Sequence, residues 1–180
     1  MATAIMDTPA QRRRTTTRDQ QRSRVYAAEN AAFDKSKSEG MTVEQVERFV
    51  EEVWNSRTVE RMRRSIWTRA PRVHDGRGHR RAVSYGGMIA IPLWARSRWV
   101  VLHELAHELT TQEPAHGPHF VANYLTLVER FLGFEARERL GAEMRKRKVK
   151  TRPCSTGPGG RRNFGPASLP VRTPVRWRHG

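Results

Sequence analysis

Cysteine is almost absent from this 180-residue chain: Cys154 is the only one. A single thiol excludes an intrachain disulfide framework, and with it the class of small secreted domains stapled by such bridges. It equally excludes a zinc ribbon built on paired CxxC ligands. Long apolar runs are missing as well. No stretch approaches the ~20 apolar residues of a membrane-spanning helix, and the opening MATAIMDTPAQRRR lacks the apolar core of a signal peptide. No internal repeat occurs. These absences lead us to expect a cytoplasmic protein with no membrane partner.

Acidic residues are missing from one region in particular. Residues 145–180 carry eleven basic side chains and no acidic one, and residues 1–24 carry six arginines against two aspartates. Residues 25–144 balance seventeen basic groups against sixteen acidic ones, so the net charge of +16 sits almost entirely at the two ends. We therefore expect a disordered basic arm over residues 1–17, one folded domain over 18–147 and a disordered Pro/Gly-rich basic tail over 148–180. Such arms neutralise phosphates, which makes nucleic acid a candidate partner. The same composition also suits solvated tails that keep a protein soluble. Phe164 and Trp177, set among arginines, can stack on unpaired bases or contact a protein.

What the chain does have is a motif. Residues 99–120 read WVVLHELAHELTTQEPAHGPHF, with His103-Glu104-Leu105-Ala106-His107 forming an HExxH. On a helix, residues four apart share a face, so both imidazoles can reach one metal ion, and Glu104 is set to act on a nearby water. With seven histidines and fourteen glutamates in the chain, chance would produce roughly 0.02 such matches. Trp99, Val100, Val101, Leu102, Leu105, Ala106 and Leu109 make this a mostly buried helix, where polar side chains need partners.

A catalytic zinc takes three protein ligands and keeps one position open. His116 is the favoured third ligand: Thr110, Thr111 and Pro114 break the helix, and Pro118 suits the first turn of the next one, which can fold His116 back. Glu129, His119 and Glu113 are the other candidates. Thr110 stands where a longer metzincin motif would have its turn glycine, which weakens Glu113.

HELAH followed by HGPHF resembles the SprT-like metallopeptidases, which include the Spartan proteases acting on DNA-crosslinked proteins. Over residues 99–132 the resemblance implies zinc held by His103, His107 and His116, Glu104 as general base, and Phe120 as a packing aromatic. The flanks VHDGRGHRRA and IPLWARSRWVVLHELAH are similar to a small actinobacterial and phage family of metallohydrolases, a label that names no substrate. Many SprT-like proteins add a C-terminal zinc ribbon, and here the single Cys154 departs from that pattern.

The remaining chain reads as support. Residues 18–37 are rich in helix formers, with Val25, Ala28, Ala32 and Phe33 on one face. Thr42 and Gln45 form a capping box ahead of a second helix with Val43, Val46, Val50, Val53 and Trp54 at helical spacing. Both helices are expected to be scaffold. Residues 57–67 read as a short helix running into a strand. Turn chemistry at Asp75-Gly76-Arg77-Gly78 suggests a hairpin, with residues 87–91 as the edge strand beside the cleft. His74 and His79 flank that turn at a spacing that is not standard for metal. Arg96 and Arg98 precede the motif helix, where one can steady an anionic intermediate or both can lie on the surface; Tyr124 can hydrogen-bond an oxyanion, but its place in an apolar stripe makes core packing the expectation. A helix over about 118–132 ending at Gly133, and a last one to about Lys146, complete the domain.

The expected fold is α+β and zincin-like, with helices on a small antiparallel sheet. The expected function is a zinc-dependent hydrolase, a metallopeptidase by preference, acting on a protein or peptide. The alternative is a nucleic-acid-associated binding protein whose zinc is structural.

Overall fold

The computed structural model describes residues 19–33, 40–63, 69–110 and 114–151. The basic arm 1–17, the tail beyond Thr151 with Cys154, Phe164 and Trp177, and Glu113 lie outside those residues. Among them the chain forms six α-helices and one three-stranded mixed sheet, an α+β fold.

Helix α1 (Arg22–Ala32) is shorter than the expected 18–37 span, and Val25 and Ala28 are fully buried on its inner face. Its first turn is held by Asp19, whose Oδ1 accepts the Arg22 N–H at 3.2 Å. Helix α2 (Val43–Trp54) carries the capping box read from sequence. The Gln45 N–H donates to Thr42 Oγ1 at 3.2 Å, and the Thr42 N–H donates to Gln45 Oε1 at 2.8 Å. Its inner face buries Val46, Phe49, Val50, Val53 and Trp54. Helix α3 (Arg57–Met62) follows, with Ser56 Oγ accepting the Val59 N–H at 3.3 Å. The strand expected next falls on residues 64–68, outside the described residues.

The sheet corrects three expectations. Strands β1 (Arg72–Asp75), β2 (Val83–Tyr85) and β3 (Met88–Ile91) lie in the order β1-β3-β2, with β1 parallel and β2 antiparallel to β3. The sheet is therefore mixed and not antiparallel, and residues 88–91 form its centre instead of its edge. The pattern of burial explains this: Ile89 and Ile91 are fully buried, and Met88 and Ala90 are half-buried on the opposite face, so β3 needs cover on both sides. The hairpin turns at Gly86-Gly87, not at Asp75–Gly78. Both glycines have positive φ, 57° and 80°, as a type I′ turn demands. The chain does turn beyond β1, the His79 N–H donating to Gly76 O at 2.9 Å, but the Gly76 N–H donates to Ile91 O at 3.1 Å, so β1 pairs with β3 and not with the strand that follows it. A side chain at Gly76 would collide with the Pro92 backbone, its Cβ falling 2.5 Å from the nitrogen.

After a single 3₁₀ turn (Leu93–Ala95) come α4 (Arg98–Glu108), α5 (Pro118–Leu132) and α6 (Phe134–Lys146). Helix α4 is the centrepiece, packed against α5, α2 and β2, while α6 packs on α5 and α1. Glu108, in the last turn of α4, fastens the sheet to this helix. Its carboxylate accepts the Ser84 hydroxyl from β2 and the Gly87 N–H from the hairpin turn, the latter at 3.2 Å. Helix α6 ends in a Schellman closure: Lys148 takes a left-handed φ of 54° and the Val149 N–H returns to Met144 O at 3.0 Å. The fold thereby continues past residue 147, and Val149 is buried in the core.

Thr42→Ala should cost about 1 kcal/mol of stability, read as a lower urea midpoint at unchanged slope. Glu108→Ala leaves the Gly87 amide without its acceptor, and should speed hydrogen exchange there by on the order of tenfold. Exchange at Ile89, in the sheet centre, should change little.

Candidate metal centre

Helix α4 is buried along most of its length, and its polar residues His103 and Glu104 are 2% and 5% exposed. His107, one turn on, is half-buried. Gly117 and Pro118 begin α5 as the sequence suggested, with Gly117 at the N-cap and Pro118 in the first turn. The Gly117 N–H bonds Pro114 O at 2.7 Å, closing a tight turn that brings His116 back over α4.

The result is a convergence of three ring nitrogens. His107 Nε2 lies 3.1 Å and His116 Nε2 3.3 Å from His103 Nε2. Ligand atoms of all three fall within 4.8 Å of one another. Tetrahedral coordination with Zn–N bonds of about 2.0–2.1 Å separates ligand nitrogens by ~3.3 Å, so the spacing suits zinc. Phe120 packs on the cluster, its ring centroid 4.4–4.9 Å from those of the three histidines.

The outer nitrogens fix the tautomers. His103 Nδ1 lies 2.5 Å from Glu29 Oε1, and His116 Nδ1 lies 2.5 Å from Asp19 Oδ2. With each Nδ1–H donated to a carboxylate, the corresponding Nε2 presents a lone pair to the centre. The lone pairs of His103 and His116, facing each other at 3.3 Å, repel unless a proton or a metal ion lies between them. The donor chemistry therefore fits a divalent metal ion such as zinc, which His103, His107 and His116 could hold.

Electrostatics agree with neutral, ligand-ready imidazoles at two positions. Burial, reinforced by charge on His103 and His116, pushes His107 down to about 2. Burial also lowers His116, against the pull of Asp19. For His103 burial acts in the same sense, but the Glu29 carboxylate outweighs it and raises the group. Glu104 is pushed up to about 7, first by burial and further by Glu29 and Glu108, while His103 opposes the rise. A carboxylate tuned near neutrality can take and release a proton.

Comparison of the chain with protein-family models, with curated proteins and with solved structures finds no match. The chemistry of the centre therefore follows from its own geometry. Among the described residues this is the one group of three or more metal-ligating side chains. Glu129 instead pairs with Arg137 at 3.6 Å and is exposed. His119 is half-buried on α5 and outside the cluster. His74 and His79 are both exposed and do not join it. Arg96 is occupied in tying Asp75 at 2.7 Å and Ile91 O at 3.3 Å. Arg98 lies over the Phe49 ring, at the far end of α4.

Helix α1 was expected to be scaffold, and here the structure adds residues that sequence reasoning missed. Asp19 uses one oxygen to cap α1 and the other to hold His116. Gln21 braces the same residue through its backbone, donating from Nε2 to His116 O at 3.0 Å, while its Oε1 accepts the Lys150 N–H. Glu29 is 1% exposed. Its signal was available: a carboxylate one turn beyond Val25 on the inner face of an amphipathic helix must meet a cation or donor. Asp19 gave no such signal, because an aspartate at a helix start is already explained as a cap.

Removing these carboxylates should weaken the centre without deleting a ligand. Glu29→Gln and Asp19→Asn are each expected to lower zinc affinity about 10- to 100-fold, measured by competition with a chromophoric chelator at pH 7. Glu129→Ala should leave it unchanged.

Proposed function

We propose that this chain is a zinc-dependent hydrolase with a zincin-like arrangement, and that its reaction is the cleavage of a peptide bond. The observation that carries the reading is the convergence of three Nε2 atoms beside a buried glutamate on one HExxH helix. The likeness of HELAH and HGPHF to SprT-like metallopeptidases supports the same assignment. Zinc bound by His103, His107 and His116 supplies Lewis acidity, which acidifies water and polarises a carbonyl. Glu104 accepts the proton of the attacking water and delivers it to the departing amine. Glu29 and Asp19 hold two of the imidazoles in the tautomer that turns Nε2 inward.

A structural zinc would require a fourth protein ligand. Among the described residues the cluster has three members, which favours the catalytic reading over the binding-protein alternative. No helix among them is long and apolar enough to cross a membrane. The basic termini remain a candidate surface for nucleic acid, on charge alone.

Elemental analysis of the purified full chain should find about one zinc per molecule. That zinc should be lost on His116→Ala. Glu104→Gln should keep it while cutting cleavage of unfolded casein by on the order of 10²- to 10⁴-fold. A Glu104→Gln variant with full turnover would overturn the general-base role. A well-folded wild type that takes up no zinc would overturn the assignment itself.

A further inference from the structure

The groups weighed from sequence for steadying an anionic intermediate are all engaged elsewhere. The Tyr124 hydroxyl donates to Trp99 O at 3.3 Å inside the core. Arg96 is bound into the sheet, and Arg98 lies at the opposite end of α4. A different pair occupies the ground they leave. Arg22, Tyr26 and Glu29 sit four and three residues apart, on the one face of α1 that looks onto the centre. Glu29 holds His103. The Tyr26 ring stacks on His103 at 5.4 Å between centroids and meets His116 edge-on at 5.3 Å. The Arg22 guanidinium lies 5.7 Å from the centroid of that ring.

His103 and His116 are buried, whereas His107 and Tyr26 are half-buried and Arg22 is exposed. Solvent thus touches the surroundings of the centre at His107 and at Tyr26, whose ring lies against two of the three imidazoles.

We infer that Tyr26, aligned by Arg22, is a further catalytic residue of the hydrolase proposed above, its hydroxyl donating a hydrogen bond to the carbonyl oxygen under attack. The inference rests on that hydrolase reading. As the oxygen of water bonds to the carbonyl carbon, the π pair moves onto the carbonyl oxygen and the water proton passes to Glu104. The negative charge that builds on the carbonyl oxygen is met by the Tyr26 O–H, polarised by the neighbouring guanidinium. When the C–N bond breaks, the pair returns to reform the carbonyl, and the nitrogen takes the proton from Glu104. A fixed donor at such an oxygen is worth roughly 10²- to 10³-fold in rate. Arg22 acts through Tyr26 and is a positioning residue.

The test uses the zinc-loaded full chain and a phosphinic Phe–Leu pseudodipeptide, whose tetrahedral anion mimics the attacked carbonyl. Zinc content, calorimetric affinity for the phosphinate and casein cleavage are measured for wild type, Tyr26→Phe and Arg22→Ala. Phenylalanine keeps the ring on His103 and removes only the hydroxyl. Tyr26→Phe should hold one zinc and bind the phosphinate about 10- to 100-fold more weakly, with kcat reduced and KM little changed. Arg22→Ala should move affinity in the same direction by less. Unchanged phosphinate affinity in Tyr26→Phe would overturn this inference alone, and so would loss of zinc, which would make the hydroxyl structural. A zinc-bearing wild type that neither binds the phosphinate nor cleaves casein would overturn the hydrolase reading, and this inference with it.

Discussion

Burying Glu29 beside His103 is the interaction on which the rest of this structure depends. Each group alone would be costly in a core where both are almost completely hidden. Together, at 2.5 Å, they satisfy one another and leave the other imidazole nitrogen facing inward. The pair spans 74 residues of sequence, so it can form only after α1 has docked against α4. Asp19 and His116 repeat the arrangement 97 residues apart. The centre is thus assembled by contacts between distant segments, and its tautomers are set by α1 and the residues that lead into it.

Helix α4 is held from both sides. Along its inner face α5 covers it, Phe120 packs on the three histidines, and Tyr124 closes the core beneath. At its C-terminal end Glu108 reaches the sheet, where it binds the hairpin turn through Gly87 and β2 through Ser84. A carboxylate there is unfavourable with respect to the helix dipole, and the two hydrogen bonds offset that cost. Glu108 also lies near enough to Glu104 to raise its proton affinity. One side chain therefore contributes to the position of the sheet and to the electrostatics of the proposed base.

The ends of the described fold meet behind the same centre. Gln21 bonds both the His116 carbonyl and the Lys150 backbone, and the Arg24 guanidinium reaches Lys148 O at 3.1 Å. The Schellman closure at Lys148 turns Val149 into the core just before this contact. Residues 21–24 and 148–150 consequently lie together, next to the segment that carries the third histidine.

Much of this was legible from residue order. The HExxH spacing, the break before His116, Gly117 and Pro118 at a helix start, the Thr42 and Gln45 capping box and the apolar stripes of α2 and α5 are local patterns, fixed by the 3.6-residue period and by backbone chemistry. They determine which side chains a helix carries and on which face. The sheet was read less well. Turn residues at Asp75–Gly78 and Gly86-Gly87 look alike in sequence, and only pairing decides which of them joins two neighbouring strands of the sheet. Strand order depends on which faces are covered by helices far away in the chain, so the central place of β3 could not be read locally. For the same reason the sequence determined the candidate ligands, while only the tertiary structure decided that Glu29, Asp19 and Tyr26 surround them: a helix's own period says which way a residue points, never what it will meet there.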